Sequence, residues 1–477
     1  VPDALACAFE AYRQRQPEPA LAAALRLRAE GRTDPLVLGI IAHLGAEFGA
    51  ESAAEEALAA LGTQPAALIA ELRATVGARL RESLVWAGNR RDDRRVESLA
   101  ALAALLFPEL CAPIQALGEP GQPFDLEPRA NPRLLSFEAP PPGQPHRPRP
   151  VVVAVCERTH PANPRSRRHE IGPLLVAAME SYGWRPQFLP LSTLDDPLLI
   201  AGDWRRLLAC CRGHRAEAVV IQDFRADSLP PATVAEFGAE LRAACPGIRI
   251  IGLYLDPWDR GRWPGIAAAA PFADRLWSRF PAVELWQRPE LAGRMLFIPL
   301  PHEGNGQYPP PAAGRGLILS FVGGIDASNW PRALWLSALR RAGVPCRTTV
   351  THRVEDELPA LESYRRYMKG LAAGGAALNF ATRLDGSRIA TGRVFEAILS
   401  GALLVEEAAP EVEYYFTPNR HYLSFATLGE LLALARRFRT EPERMQAIRR
   451  QGWEFFQSRY RDRALIGYLD RALFFAP

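Results

Sequence analysis

Ser387–Glu407 reads SRIATGRVFEAILSGALLVEE, and the order of residue types in it sets the reading of the whole chain. Serine, threonine and arginine come first, an apolar stretch at helical spacing follows, and a small-residue turn then leads into a short apolar run. This is a polar helix N-terminus, a helix and a buried strand. Arg393 and Glu396 are three residues apart and share one helix face. The helix N-terminus beside them can receive phosphate oxygens, so the pattern suits a nucleoside diphosphate. The plainer alternative is an amphipathic helix whose arginine and glutamate pair on the surface.

Gly392, Arg393, Phe395, Glu396, Gly401, Ala402, Val405 and Glu407, followed by Glu411, Glu413 and Phe416, form a run that resembles the donor-site signature of the GT-B glycosyltransferases. It is most similar to that of their bacterial spore-maturation-protein-like (CgeB-like) branch. The resemblance extends from Val151 to the C-terminus and is strongest in the last third. It implies an α/β architecture of two facing Rossmann-like domains and transfer of a sugar from a nucleoside diphosphate to a hydroxyl acceptor. In such enzymes the first glutamate of the run bonds the ribose hydroxyls, a role that falls on Glu396. Arg393 then looks like a diphosphate-side and catalytic group. Glu407 would touch the donor sugar or orient the diphosphate loop.

A chain of 477 residues is too long for one ordinary core, and an apolar fraction of 48% supports globular domains throughout. Fifty-seven basic and 53 acidic residues nearly cancel, and no basic tract interleaves with aromatics, which makes nucleic acid a poor partner. Seven cysteines form no C-x-x-C pair, as expected of reduced thiols in a cytoplasmic compartment. No apolar run reaches the length of a membrane span and no export signal opens the chain, so membrane attachment is expected to be peripheral at most. The initial Val1 suggests that a start residue or short leader precedes it.

Residues 1–118 read as helices with Gly and Pro punctuation at helix-turn-helix spacing, and loosely resemble a tetratricopeptide pair. An ordinary helical domain is the alternative. Residues 119–150 form a proline-rich linker or a segment wrapped over a surface, with ten prolines between Pro120 and Pro150. Residues 151–300 open with the apolar strand Val151–Cys156, a polar loop and a helix over Ile171–Tyr182. Further strands are expected at Ala218–Ile221, Arg249–Leu255 and Phe297–Pro299, and helices at Pro231–Ala244 and Ala267–Trp277. Residues 301–477 begin a second α/β domain with a strand at Leu317–Phe321 and the pair Gly323-Gly324. A helix over Pro331–Ala342 follows, then strands at Cys346–Val350, Ala376–Phe380 and Ala402–Val405. Helices over Leu428–Arg437, Pro442–Tyr460 and Asp462–Phe474 come last, the final pair able to cross back onto the first domain.

A sugar transferase must hold a diphosphate leaving group and aim an acceptor hydroxyl at the anomeric carbon. Gly323 and Gly324 permit close backbone approach to phosphate or sugar. Arg388 and Thr391 belong to the polar stretch that can saturate phosphate oxygens, and His302 near the hinge is a donor contact. His160, Arg165 and Arg168 belong to the acceptor-side loop, and His169 and Asp256 are the candidate bases. Exposed loop histidines and strand-end aspartates more often do nothing specific. No D-x-D motif suggests a metal, and no permanently bound cofactor is expected; the co-substrate is the nucleotide sugar. The acceptor is a protein or glycan, engaged by the helical domain, which is also the candidate for self-association. Two other readings stand beside the transferase: a nucleotide-sugar epimerase, and a non-catalytic interaction protein on a degenerate scaffold.

Overall fold

The structure, a computed structural model, describes the chain apart from residues 1–3, 118–125, 129, 138–146, 157–158, 161–162, 168–170, 192–196, 223–229, 256, 259, 305, 313–315, 351–359, 384 and 476–477. Its described residues form an all-helical region followed by two α/β halves, each built on a parallel sheet, which is the GT-B-like architecture expected from the sequence.

The helical region holds α1 (Ala4–Arg13), α2 (Pro17–Ala29), α3 (Pro35–Phe48), α4 (Glu51–Leu61), α5 (Ala66–Arg90), α6 (Asp93–Leu106) and α7 (Pro108–Gln115). The first α/β half contains β1 (Pro150–Cys156), the hairpin β2 (Thr159–His160) and β3 (Asn163–Arg167), α8 (Ile171–Tyr182), β4 (Arg185–Leu191) and α9 (Pro197–His214). It continues with β5 (Ala218–Gln222), α10 (Pro231–Ala244), β6 (Arg249–Tyr254), α11 (Trp263–Ala269), β7 (Arg275–Ser278), α12 (Pro289–Ala292) and β8 (Met295–Leu296). The second half holds β9 (Ile318–Gly323), α13 (Pro331–Arg341), β10 (Cys346–Val350), α14 (Ala360–Ala372), β11 (Gly375–Asn379), α15 (Gly392–Leu399), β12 (Leu403–Glu407) and β13 (Leu423–Phe425). Three helices end the chain: α16 (Leu428–Thr440), α17 (Pro442–Arg459) and α18 (Asp462–Phe474).

The first sheet runs in the order β4-β1-β5-β6-β7-β8 and the second in the order β10-β9-β11-β12-β13. Strands β1, β11 and β12 are covered on both faces, which is why they read as unbroken apolar runs rather than alternating ones. Each sheet reverses its winding once, beside β1 and beside β9. The carboxyl ends of the strands at such a reversal open a crevice, so the fold itself locates the places where ligands can enter.

Two sequence expectations need correction. The helix expected over Ala267–Trp277 stops at Ala269, passes through a single 3-10 turn, and gives way to strand β7, which contains Trp277. Pro271 lacks the N–H needed to continue the helix, and the alanines before it carry little information about period. The strand expected at Phe297–Pro299 lies two residues earlier, as β8, in register with Leu276 and Trp277 of β7. Part of the proline-rich stretch lies against the second half, where Asn131 donates to the carbonyls of Glu413 (2.6 Å) and Phe416 (3.2 Å) and Leu135 N–H donates to Tyr414 O at 2.9 Å. Arg147 and Arg149 at its end pair with Glu217 of the first half at 2.7 and 2.8 Å.

Of the final pair expected to cross back, α18 does so and packs on α8 of the first half, whereas α17 stays on α15 and β12 of the second. At the start of α18 Asp462 accepts the backbone N–H groups of His302 (2.9 Å), Glu303 (3.1 Å) and Gly304 (3.2 Å). Farther along, Asp470 accepts from Arg149 at 2.9 Å and from Tyr182 at 3.0 Å. The segment joining the two halves is thus pinned by the closing helix.

The helical region shares one apolar core with the second sheet, not with the first. Helix α13, which would otherwise form an outer face of the second half, is buried from Ala333 to Leu339 because α5, α6 and α7 cover it. Ion pairs Arg340–Asp93 and Arg341–Glu97 rim this contact. At its centre a Cβ on Gly88 would come within 2.6 Å of the Ala333 Cβ, so a glycine is what lets α5 lie against α13. Gly88→Ala should therefore lower the unfolding free energy by about 1–3 kcal/mol through overpacking, outweighing the roughly 1 kcal/mol that alanine gains in helix propensity. Urea titration checks this; an alanine variant as stable as the native chain would refute the tight contact.

Candidate active site

A cleft of about 340 Å³ lies between the halves, at the winding reversal of the second sheet. Ile171, Leu174 and Leu175 of α8 line one side, Pro301 and His302 the hinge, and Arg332, Tyr367, Thr391, Gly392, Arg393 and Glu396 the other side. Arg279, just after β7, completes it.

The polar wall is built around Asn379 at the carboxyl end of β11. Its amide oxygen accepts from Arg393 Nη1 at 2.9 Å, and its amide nitrogen lies 2.9 Å from Thr391 Oγ1 and 2.9 Å from Glu406 Oε2. Because Thr391 spends its hydroxyl on Asn379, it makes no side-chain cap, and the N-terminus of α15 opens toward the cleft. Tyr367 links the next two groups, donating to Glu396 Oε2 at 2.8 Å while Arg393 Nε donates to the tyrosine oxygen at 3.3 Å. Glu396 Oε1 lies 3.6 Å from His302 Nδ1, and that ring nitrogen is 3.1 Å from the Tyr364 hydroxyl.

Two glycines make room. A Cβ on Gly323 would lie 2.5 Å from Arg393 Nη2, so the guanidinium rests directly on the end of β9. A Cβ on Gly392 would stand 3.2 Å from Arg279 Nη1, 3.6 Å from Glu396 Oε1 and 3.7 Å from His302 Cε1. The space above Gly392 is bounded by a cation, a carboxylate and an imidazole.

Burial shapes the charges. Loss of hydration brings Arg332 down to about 9, with the Arg393 cation adding to the effect; it is still charged at neutral pH. Its Nη1 donates to Gly324 O at 3.1 Å, and its Nε has no hydrogen-bond partner among the described residues. Burial, helped by the Arg279 charge, depresses His302 to about 3, which keeps the ring neutral; its Nε2 likewise has no partner among the described residues. Burial raises Glu396 above the ordinary carboxylate range and Glu406 to about 8, the Asn379 bonds opposing the rise in the second case.

Of the residues expected from the sequence, Thr391, Arg393, Glu396 and His302 come together in this cleft, with Gly323 behind Arg393 and the Gly324 carbonyl under Arg332. Arg388 points elsewhere, donating to Ala408 O at 3.2 Å. Glu407 is buried behind the wall, where it accepts the N–H groups of Ala381 and Thr382, each at 2.9 Å, and the Thr382 hydroxyl at 2.5 Å. It holds the loop that leads to α15. His169, Arg168 and Asp256 lie outside the described residues; His160 and Arg165 fall in the β2–β3 hairpin, and their side chains are not among those described.

Residues 330–466 match the family model described as Glycosyl transferase-like. The glycosyl transferase-like span holds most of the polar wall, while His302, Gly323 and Arg279 lie ahead of it. No curated protein matches the sequence. Among solved structures, HepE of Anabaena in complex with UDP and glucose is similar at 10% identity and a TM-score of 0.47, over 68% of this chain and 98% of its own. Sucrose-phosphate synthase from Thermosynechococcus elongatus is similar at 12% identity and a TM-score of 0.46, over 68% of this chain and 99% of its own. A mutant O-GlcNAc transferase of Thermobaculum terrenum is similar at 14% identity and a TM-score of 0.37, over 98% and 95%. Among the described residues, no group of three or more His, Cys, Asp or Glu is arranged to hold a metal ion.

Sequence reasoning missed Arg279, Arg332 and Tyr367. Arg332 did leave a signal: it is the second residue of a helix, where the macrodipole disfavours a cation unless an anion is to arrive. Tyr364 and Tyr367 share a face of α14, for which no helix was expected. Arg279 follows the strand that was read as a helix.

A carboxyl group raised from 4.5 to about 8 favours the fold in its protonated form. That contribution is complete below 4.5 and is lost as pH rises through 8. The buried histidines are neutral in the fold and, at 6.5, mostly neutral in the unfolded chain above pH 7, so their opposing effect fades and the native melting temperature should fall between pH 7 and 9. Glu406→Gln, which stays neutral, should flatten that fall. Calorimetric melting across the range is the check, and an unchanged slope would remove Glu406 as its source.

Proposed function

We propose that the chain is a glycosyltransferase that moves a sugar from a nucleoside diphosphate to a hydroxyl on a protein or glycan. The observation that carries this reading is the cluster of Arg279, Arg332 and Arg393 around one cleft at a strand-end crevice. Cations drawn out of water beside one another raise the energy of the empty site, and an anion of matching charge relieves it. The diphosphate is the group that fits, with the open N-terminus of α15 beside it.

In the reaction the acceptor oxygen attacks the anomeric carbon as the bond from that carbon to the β-phosphate oxygen breaks. The acceptor proton passes to a base, and the nucleoside diphosphate leaves with the bonding pair and its added negative charge. Arg332 and Arg393 stabilise that charge as it develops. Glu396 bonds the ribose hydroxyls, with Tyr367 holding its carboxylate in place. His302, neutral at the hinge, contacts the donor sugar. His169 and Asp256 remain the proposed bases, and His160, Arg165 and Arg168 the proposed acceptor-side contacts. The paired helices of the N-terminal region support a tetratricopeptide-like module for acceptor recognition.

Titration calorimetry with UDP-, GDP-, ADP- and TDP-linked sugars, with and without EDTA, tests the donor site. One nucleotide should bind selectively and without sensitivity to EDTA. Arg332→Met and Arg393→Met should each weaken it about 10- to 100-fold, the range expected for a hydrogen bond to a charged group. Glu396→Ala should weaken nucleoside diphosphate and nucleotide sugar alike. Absence of binding across the panel would instead favour a non-catalytic protein on this scaffold.

A further inference from the structure

We infer that the helical region is part of the donor site's own machinery, with Asn89 as a positioning residue that sets the loop carrying the diphosphate contacts. The inference rests on the donor reading of the cleft. Three consecutive residues, beginning with the last of β9, have three different partners. Gly323 backs the Arg393 guanidinium, with no room for a Cβ. The Gly324 carbonyl accepts Arg332 Nη1 at 3.1 Å. The Ile325 carbonyl accepts Asn89 Nδ2, from the end of α5, at 3.1 Å. The backbone therefore runs from the cleft to the helical region in two residues.

The same loop is held from the helical side at two more points. The Ile325 side chain, 4% exposed, lies against Gly88, where an added Cβ would be 3.2 Å from its Cδ1. At the far end Trp330, fully buried, packs on Phe107 with ring centroids 5.2 Å apart. Arg332 follows two residues later, so both ends of the segment that presents it are fixed by α5 and by the junction of α6 and α7. The anchored Ile325 carbonyl belongs to the next peptide plane, one Cα from the plane that carries the Gly324 carbonyl, and with the Ile325 side chain packed against Gly88 it restrains the dihedrals that aim the Gly324 carbonyl. Releasing it lets Gly324 rotate and leaves Arg332 without its one described acceptor. The donor site is thus ordered before ligand arrives, which lowers the ordering cost on binding.

Asn89→Asp tests this, because it keeps the shape and removes the donor while setting a carboxylate against the Ile325 carbonyl. Affinity is read by calorimetry for whichever of UDP, GDP, ADP and TDP the native protein binds, and hydrogen exchange is read over residues 323–331 without ligand. The expected result is faster exchange in that segment and affinity weaker by about 5- to 10-fold, the cost of one neutral hydrogen bond. Asn89→Ser removes the amide without adding charge and gives the same reading if the aspartate variant does not fold. Leu61→Ala, which loosens the core of the helical region far from the loop, should leave affinity native-like in the folded protein. Unchanged exchange in the Asn89 variants, or unchanged affinity beside a native protein that binds, overturns the inference alone. Equal loss in Leu61→Ala also overturns it, by showing a general effect of stability. A native protein that binds none of the four nucleotides fails the donor reading and takes this inference with it.

Discussion

Asn379 is the group on which the cleft depends, because it is a neutral amide placed between an arginine and a buried glutamate. The Arg393 cation requires the amide oxygen, which leaves the amide nitrogen to the Glu406 carboxyl oxygens and fixes the side chain in one orientation. Once fixed, it holds the Thr391 hydroxyl and with it the first turn of α15. Glu406 sits at 0% exposure, where an ionised carboxylate without strong partners would be costly. The rise of its pKa to about 8 moves that cost into protonation rather than leaving it as a standing penalty at neutral pH. Glu407, its neighbour in the strand, faces the opposite side of the sheet and uses both oxygens on the loop at Ala381 and Thr382. Adjacent acids in one strand therefore serve two different walls.

The same logic of polar groups tying backbone to backbone closes the molecule across the cleft. Tyr415 of the second half donates to the Arg279 carbonyl of the first at 2.9 Å. Arg383 lies over the Trp258 ring at 4.6 Å, and Glu411, which accepts the Ala390 N–H at 3.0 Å within the second half, also accepts a backbone bond from Ala282 of the first. Asp462 holds three consecutive N–H groups of the connecting segment at the start of the helix that crosses back. The buried acids Glu407, Glu411 and Asp462 hold backbone in place, and Glu396 is an acid that lines the open cleft.

The parallel sheets were legible because strands buried on both sides have a composition that little else produces: VVVAVC and ALLVEE announce themselves without partners. The site was most legible where its residues are close in sequence, as Thr391, Arg393 and Glu396 are, and beyond them only at the hinge His302 and the glycine pair that ends β9. Arg279 reaches the cleft from the end of β7 and Arg332 from the first turn of α13, and nothing periodic connects them to Arg393. Local propensity also misled where alanines precede Pro271, since a run of alanine states a preference for helix but not where the sheet will claim the chain. The glutamate at 407 illustrates the opposite limit: its place in the signature was readable, but its direction depends on strand alternation about the register of β12 with β11.

The position of the helical region was not legible at all, since a proline-rich stretch after it suggests separation rather than a shared core. Yet α13 carries Trp335, Leu336 and Leu339 on faces that one sheet cannot cover together, and its burial from Ala333 to Leu339 has two sources. A helix that apolar on opposite sides is stable only between two layers. The helices therefore supply the second layer that α13 needs, and a glycine at position 88 brings them near enough to touch the loop beside the cleft. Packing alone thus explains why the chain places its helical region on the second half's side of the cleft, at a distance from Arg332 and Arg393 set by a shared core.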